Sequence, residues 1–245
     1  MERAWRVAVR FEELAWRRTA MGEISLRRRL DPGLNVDVYE VKLDDEFLMS
    51  SLFTVAEVEL ARLALATHPD TGSDLDVVVG GLGLGYTART VLEDPRVGSL
   101  TVVEALDEVI GWHRTELLPF AASVTTDRRS RLVHGDFFAM AAGSGFDPDT
   151  PGRRFHIVAV DIDHSPRHLL HPGHAGFYTV DGLRHLTRHL YPGGLFALWS
   201  NDPPDPDFTA TLGQVFTGCT AHVVTFANPV RGGESANTVY VSTAP

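Results

Sequence analysis

Val77-Val78-Val79-Gly80-Gly81-Leu82-Gly83-Leu84-Gly85 is an apolar, β-branched run that breaks into alternating glycines. Such a run reads as a strand covered on both faces. Glycines directly after it let the chain turn sharply into a helix, here Tyr86 to Leu92, whose first N–H groups stay available to a ligand. Outward from this stretch the alternation repeats. Ser99–Val103 is a buried strand ending on Glu104, followed by a helix around Asp107–Leu118, and Arg131–His134 is a short strand ahead of Asp136. Phe155–Val160 ends on Asp161-Ile162-Asp163, a helix spans about Val180–Leu190, and Gly194–Trp199 returns as a strand. Val223–Phe226 and Thr238–Val241 form a closing hairpin around Gly232-Gly233. Strands that alternate with crossover helices imply an α/β fold with a mostly parallel sheet covered on both faces. Ligands of such sheets bind beyond the carboxyl ends of the strands. That rule gathers Gly81–Gly85, Glu104, Asp136, Asp161–His164 and Ser200–Asp202 on one rim.

Upstream, residues 1–20 read as a helix, and Glu23–Arg29 and Val36–Leu43 as short strands around the turn Asp31-Pro32-Gly33. Ser50 or Ser51 is placed to cap a helix running to about His68. The chain therefore divides into an N-terminal helix and small β element over 1–50 and a nucleoside-binding domain over 51–245. Its 245 residues suffice for one large α/β domain with a small appendage.

Apolar residues at 44% and charged residues at 22% are those of a folded globular chain. A formal charge of -10 argues against general binding to nucleic acid or anionic membrane. Arg3, Arg6, Arg10, Arg17, Arg18, Arg27, Arg28 and Arg29 run against that average, but Glu2, Glu12, Glu13 and Glu23 among them make a mixed-charge, solvated face. No stretch reaches the ~18 apolar residues of a membrane span, and no charged-then-apolar leader is apparent, so the expected compartment is the cytoplasm. Cys219 is the only cysteine, which excludes internal disulfides and cysteine-rich metal sites.

The chemistry follows from the rim. Gly81, Gly83 and Gly85 form a nucleoside cradle, and Glu104 stands where a carboxylate accepts both ribose hydroxyls and repels a 2′-phosphate. Asp136 suits an adenine amino group and equally suits the N-cap of a helix over Phe137–Ala142; the two roles are compatible. Gly83-x-Gly85-x-x-Ala88 also fits the dinucleotide fingerprint, which keeps an NAD-binding oxidoreductase among the alternatives.

On these residues the chain resembles the polyamine aminopropyltransferases (spermidine synthases) and, more broadly, the class I S-adenosylmethionine-dependent methyltransferases. The stretch Leu100–Ile110 carries that family's strand-acid-helix pattern, and Phe155–Asp161, His174–Tyr178 and Leu190-Tyr191-Pro192-Gly193-Gly194 continue it. Asp45-Glu46-Phe47 matches the Asp-Glu-Phe between the family's β element and its first helix. The resemblance covers most of residues 35–205. It implies a Rossmann-like class I methyltransferase fold of seven strands, an adenosyl sulfonium ligand, Glu104 on the ribose, Asp136 at the adenine and a homodimer formed through the N-terminal element.

Three positions depart from that family. Leu84 stands where its glycine loop has an Asp facing the propylamine tail. His164 stands at the second Asp of its Asp-Ser-Ser-Asp-Pro motif, and Met49, Ser50 and Ser51 replace its Tyr, His and Glu. All three touch the cationic tail or the acceptor, so the expectation is a transferase with S-adenosylmethionine as cofactor that moves a methyl group to a small acceptor. Aminopropyl transfer from decarboxylated S-adenosylmethionine is the alternative, and a non-catalytic nucleoside-binding protein is another. Asp161 is the first candidate base, His164 the second, and Asp163 a third. His164, His168, His171 and His174 form a local cluster, but Pro166 and Pro172 interrupt any helix that would align them, and no metal site is expected.

Overall fold

The computed structural model describes residues 11–69, 72 and 74–245. The chain divides into two compact units, the second running from Val55 to Pro245. Residues 1–10, with Arg3, Arg6 and Arg10, lie outside the described residues.

The first unit is a four-stranded antiparallel meander: β1 (Phe11–Thr19), β2 (Gly22–Asp31), β3 (Val36–Leu43) and β4 (Glu46–Ser50), paired in that order. Residues 11–19, expected within a helix, are a strand. A register shift between Glu13 and Ala15 breaks the two-residue alternation that marks a strand in sequence. Ile24, Leu26, Val38 and Val41 are its buried apolar residues. The arginines of β2 are spent across the sheet, Arg28 on Glu12 at 2.5 Å and Arg29 on Glu40 at 2.8 Å. They form the expected mixed-charge surface.

In the second unit α1 (Val55–Thr67) precedes β5 (Leu75–Gly80), α2 (Tyr86–Glu93), β6 (Val97–Glu104), α3 (Asp107–Arg114), α4 (Ala121–Thr125), β7 (Ser130–His134), α5 (Phe137–Ala142) and β8 (Phe155–Val160). A 3-10 helix over Pro172–Tyr178, α6 (Val180–Thr187), β9 (Leu190–Ser200), α7 (Pro206–Gly213), β10 (Gly218–Ala227) and β11 (Glu234–Thr243) complete it. α1 starts later than expected because the two serines are used elsewhere. The Ser51 hydroxyl accepts the Tyr39 N–H at 2.9 Å and the Ser50 hydroxyl accepts that of Leu52 at 3.3 Å.

The seven-stranded sheet has the order β10-β11-β9-β8-β5-β6-β7. β9, β8, β5, β6 and β7 are parallel, and β11 joins β9 and β10 antiparallel, which is the C-terminal hairpin expected from the sequence. The order reverses at β5, so a crevice opens beyond its carboxyl end, next to those of β6 and β8. Val77, Val78 and Val79 are fully buried, as a strand covered on both faces requires. One face carries an aromatic core in which Phe137 stacks on Phe146 at 4.8 Å and Phe196 on Phe216 at 5.5 Å. On the other face α1 packs against α2, β8 and β9. Among the described residues no helix is long and apolar enough to cross a membrane.

Candidate functional site

Gly81 must be glycine: its φ is +90°, and a Cβ there would stand 2.1 Å from the Asp161 carbonyl oxygen. β5 and β8 are tied at this point, since the Asp161 N–H donates to the Gly80 carbonyl at 2.9 Å. Gly85, at φ +88°, caps α2 without a side chain; a Cβ there would meet the His113 ring at 2.8 Å. His113, fully buried, therefore supports the turn from below. Its Nε2 lies 2.9 Å from the Gly83 carbonyl, an acceptor, so Nε2 carries the hydrogen, and burial lowers the imidazole pKa and keeps the ring neutral. Sequence reasoning missed His113, because 30 residues separate it from the turn it holds.

Glu104 ends β6 with its carboxylate facing this turn. Oε2 accepts the Leu82 N–H at 2.9 Å and Oε1 that of Leu106 at 2.9 Å. The N–H groups of Gly83 and Ala105 also face this carboxylate, whose oxygens act only as acceptors, the character that a vicinal diol needs. Burial raises the Glu104 pKa, and the backbone N–H groups of Leu82, Leu106, Gly83 and Ala105 oppose that rise. Asp136, exposed at the end of β7, is the N-cap of α5: its Oδ1 accepts from Phe138 at 2.9 Å and Ala139 at 3.1 Å. Oδ2 makes no hydrogen bond among the described residues.

Asp161 is only partly exposed, and its Oδ2 accepts the Thr87 hydroxyl at 2.9 Å. Loss of hydration pushes its pKa up to about 6, against the Thr87 hydrogen bond. Beside it lies Glu57 of α1, only 8% exposed, whose carboxyl is pushed up to about 8, first by burial and then by the Asp161 charge. The Thr87 hydroxyl also lies 3.2 Å from the Glu57 carbonyl oxygen, so β8, α2 and α1 meet here. No ion pair reaches either carboxyl among the described residues. Glu57 was absent from the sequence reading because on α1 it looks like any polar helix residue. Trp199, which follows Leu198 on β9, has a buried indole N–H with no hydrogen-bond partner among the described residues.

The other candidates separate. The Asp163 carboxylate is buried and accepts from Leu170 N–H, His174 Nδ1 and the Tyr178 hydroxyl, each at 2.8 Å. His164 is half-buried on the loop, where its carbonyl accepts the Asn201 N–H at 2.7 Å. His168 turns instead to Asp202 at 2.9 Å, and His171 Nδ1 accepts the Gly173 N–H at 3.0 Å. Among the described residues no three such side chains converge as a metal site. Asn201 accepts from Asn237 at 3.0 Å, and the Thr238 hydroxyl donates to the Asp202 carbonyl at 2.7 Å, so the loop after β9 is fixed to β11.

No protein-family model matches the sequence, and no curated protein matches it. Solved structures do. The spermidine synthase from Thermotoga maritima superposes with a TM-score of 0.70 at 16% identity, over 94% of this chain and 72% of that one. A spermidine synthase in complex with the transition state analogue AdoDATO gives 0.69 at 15% identity over 94% and 72%. A probable spermidine synthase from Corynebacterium glutamicum gives 0.60 at 19% identity over 95% and 78%. The chain has a spermidine synthase-like fold.

Proposed function

We propose that this chain is an adenosyl-sulfonium-dependent transferase that moves the aminopropyl group of decarboxylated S-adenosylmethionine to an amine. The observation that carries this reading is the pair Glu57–Asp161: two carboxyls beside the glycine turn with no cationic partner. Such a pair favours a cationic tail and opposes one that bears a carboxylate of its own. Glu57, protonated at neutral pH because burial and the Asp161 charge raise its pKa, gives up that proton more readily beside a cationic tail, and so stands in for the acid that Leu84 removes from the loop. The methyl-transfer expectation from sequence rested on Leu84, His164 and the stretch Met49–Ser51, and the aminopropyl alternative is the better supported of the two. The likeness to spermidine synthases, one of them holding a transition state analogue, agrees with it.

The residues present fit the donor. Gly81, Gly83 and Gly85 present backbone without side chains along the turn, Glu104 offers carboxylate oxygens as acceptors for a ribose, and Asp136 keeps Oδ2 for a base amino group. When bound, the sulfonium supplies an electrophilic methylene carbon. Asp161, whose carboxyl is largely ionised at neutral pH, takes a proton from the acceptor ammonium. The freed amine then forms a C–N bond as the C–S bond breaks, and 5′-methylthioadenosine leaves as the neutral thioether. Positioning of donor and amine supplies much of the acceleration.

The test is product analysis with 1,4-diaminobutane as acceptor. Amine-dependent release of 5′-methylthioadenosine from the decarboxylated donor is expected, with no turnover of S-adenosylmethionine. Formation of S-adenosylhomocysteine from the carboxylated donor would restore methyl transfer, and turnover of neither donor would remove the catalytic reading.

A further inference from the structure

Asp163 and His174 form a dyad that the proposed reaction does not use. The Asp163 side chain is fully buried, and because its carboxylate only accepts, the proton of a neutral His174 ring sits on Nδ1, which lies 2.8 Å from Oδ1. Tyr178 stays a donor to the same carboxylate, since burial and the Asp163 charge raise its pKa. His174 Nε2 is thereby set as a lone-pair acceptor, and it makes no hydrogen bond among the described residues. The imidazole is held in place: its side chain is 12% exposed and lies nearly flat on Phe138, centroids 4.0 Å apart at 26°.

Phe138 connects this ring to the rim. Its backbone N–H is the one that Asp136 Oδ1 accepts at 2.9 Å. Asp136 and His174 are therefore fixed to the backbone and to the ring of a single residue, with one acceptor on each, Oδ2 and Nε2, left open. Two acceptors anchored on one residue match a group with two N–H bonds and oppose a carbonyl.

We propose that His174 reads the nucleobase, its Nε2 and Asp136 Oδ2 accepting the two protons of the exocyclic amino group of a 6-aminopurine, with Asp163 as the positioning residue that sets the tautomer. The inference rests on the adenosyl reading above. It makes the site reject 6-oxopurines, whose oxygen would face two lone pairs.

Equilibrium binding of 5′-methylthioadenosine and 5′-methylthioinosine to the wild type and to His174→Asn tests it. The asparagine amide keeps a donor for Asp163 and removes Nε2. The wild type is expected to prefer the adenine nucleoside by about 100-fold, and the variant by about 10-fold, the loss arising from weaker binding of the adenine nucleoside. His174→Phe, which keeps a ring on Phe138, is expected to give the same reduced ratio. A folded variant with an unchanged ratio overturns the proposal, as does a wild type that binds both nucleosides equally. Binding of the adenine nucleoside with no effect of His174 removes this inference alone, whereas binding of neither nucleoside by the wild type removes the adenosyl reading together with it.

Discussion

Replacing Glu57 by glutamine should make the protein more stable at pH 8 and leave it nearly unchanged at pH 5. The Glu57 carboxyl titrates near 8 in the folded chain and near 4.5 when unfolded. Between those values the folded state holds a proton that the unfolded state gives up. The stability due to this group is thus fully present below about pH 4.5 and is lost as pH rises through about 8. At about 1.36 kcal/mol per pH unit, the whole window integrates to roughly 4–5 kcal/mol as an upper bound. Access of water by way of the partly exposed Asp161 reduces that to about 2–3 kcal/mol. Glutamine has the same shape and stays neutral, so the E57Q protein escapes the loss. For a domain of this size the difference is about 5–10 °C in Tm at pH 8 and within about 2 °C at pH 5. Calorimetric melts of both proteins at the two pH values measure it. A Tm difference that does not change with pH, or a glutamine variant less stable at pH 8, would show that Glu57 is ionised in the fold and that the carboxyl pair is misread.

Asp161→Asn should lower kcat for aminopropyl transfer by about 10²–10⁴-fold while the Kd for 5′-methylthioadenosine moves by less than about 3-fold. Because the base must be ionised, the wild-type rate should fall below about pH 6, and that limb should disappear in the asparagine variant. Glu104→Gln should raise the Kd for 5′-methylthioadenosine by about 10–100-fold in calorimetric titration, with a Tm a few degrees lower because the amide nitrogen faces the Leu82 or Leu106 N–H. Gly81→Ala should be destabilised by more than about 3 kcal/mol or fail to fold, since its Cβ would overlap the Asp161 carbonyl in a left-handed conformation; a soluble variant with the wild-type Tm would show that β5 and β8 are not held as closely as described.

The rim was legible in the sequence where a local pattern fixes the geometry. Val77–Val79 followed by glycines, and Ser99–Val103 followed by Glu104, are short-range signals, and the parallel order follows from strand-helix alternation. The N-terminal strand was not legible, because the bulge between Glu13 and Ala15 shifts Phe11, Leu14 and Ala15 toward helical spacing. Ser50 and Ser51 illustrate the same limit. A serine before an apolar run signals a cap, yet here the Ser51 hydroxyl is taken by the Tyr39 N–H of β3 and the Ser50 hydroxyl by the Leu52 N–H. His113 and Glu57 act on partners 30 and roughly 100 residues away, and no window of sequence contains both members of either pair.

The consequence is largest for charge. Read along the chain, the loss of an acidic residue at Leu84 removes the counter-charge for a propylamine. A binding site, however, responds to the sum of nearby charges and not to the element that supplies them. α1 brings Glu57 to Asp161, where burial and the neighbouring carboxylate hold a proton on Glu57 that a cationic tail would help to release. Leu84 is itself 3% exposed, so a carboxylate there would be desolvated as well. A carboxyl at either place meets the demand of a cationic tail, and both together would place three acids in one crevice. The fit of a cationic tail is therefore judged from the acids that meet at the rim, Glu57 and Asp161, and not from the loop alone.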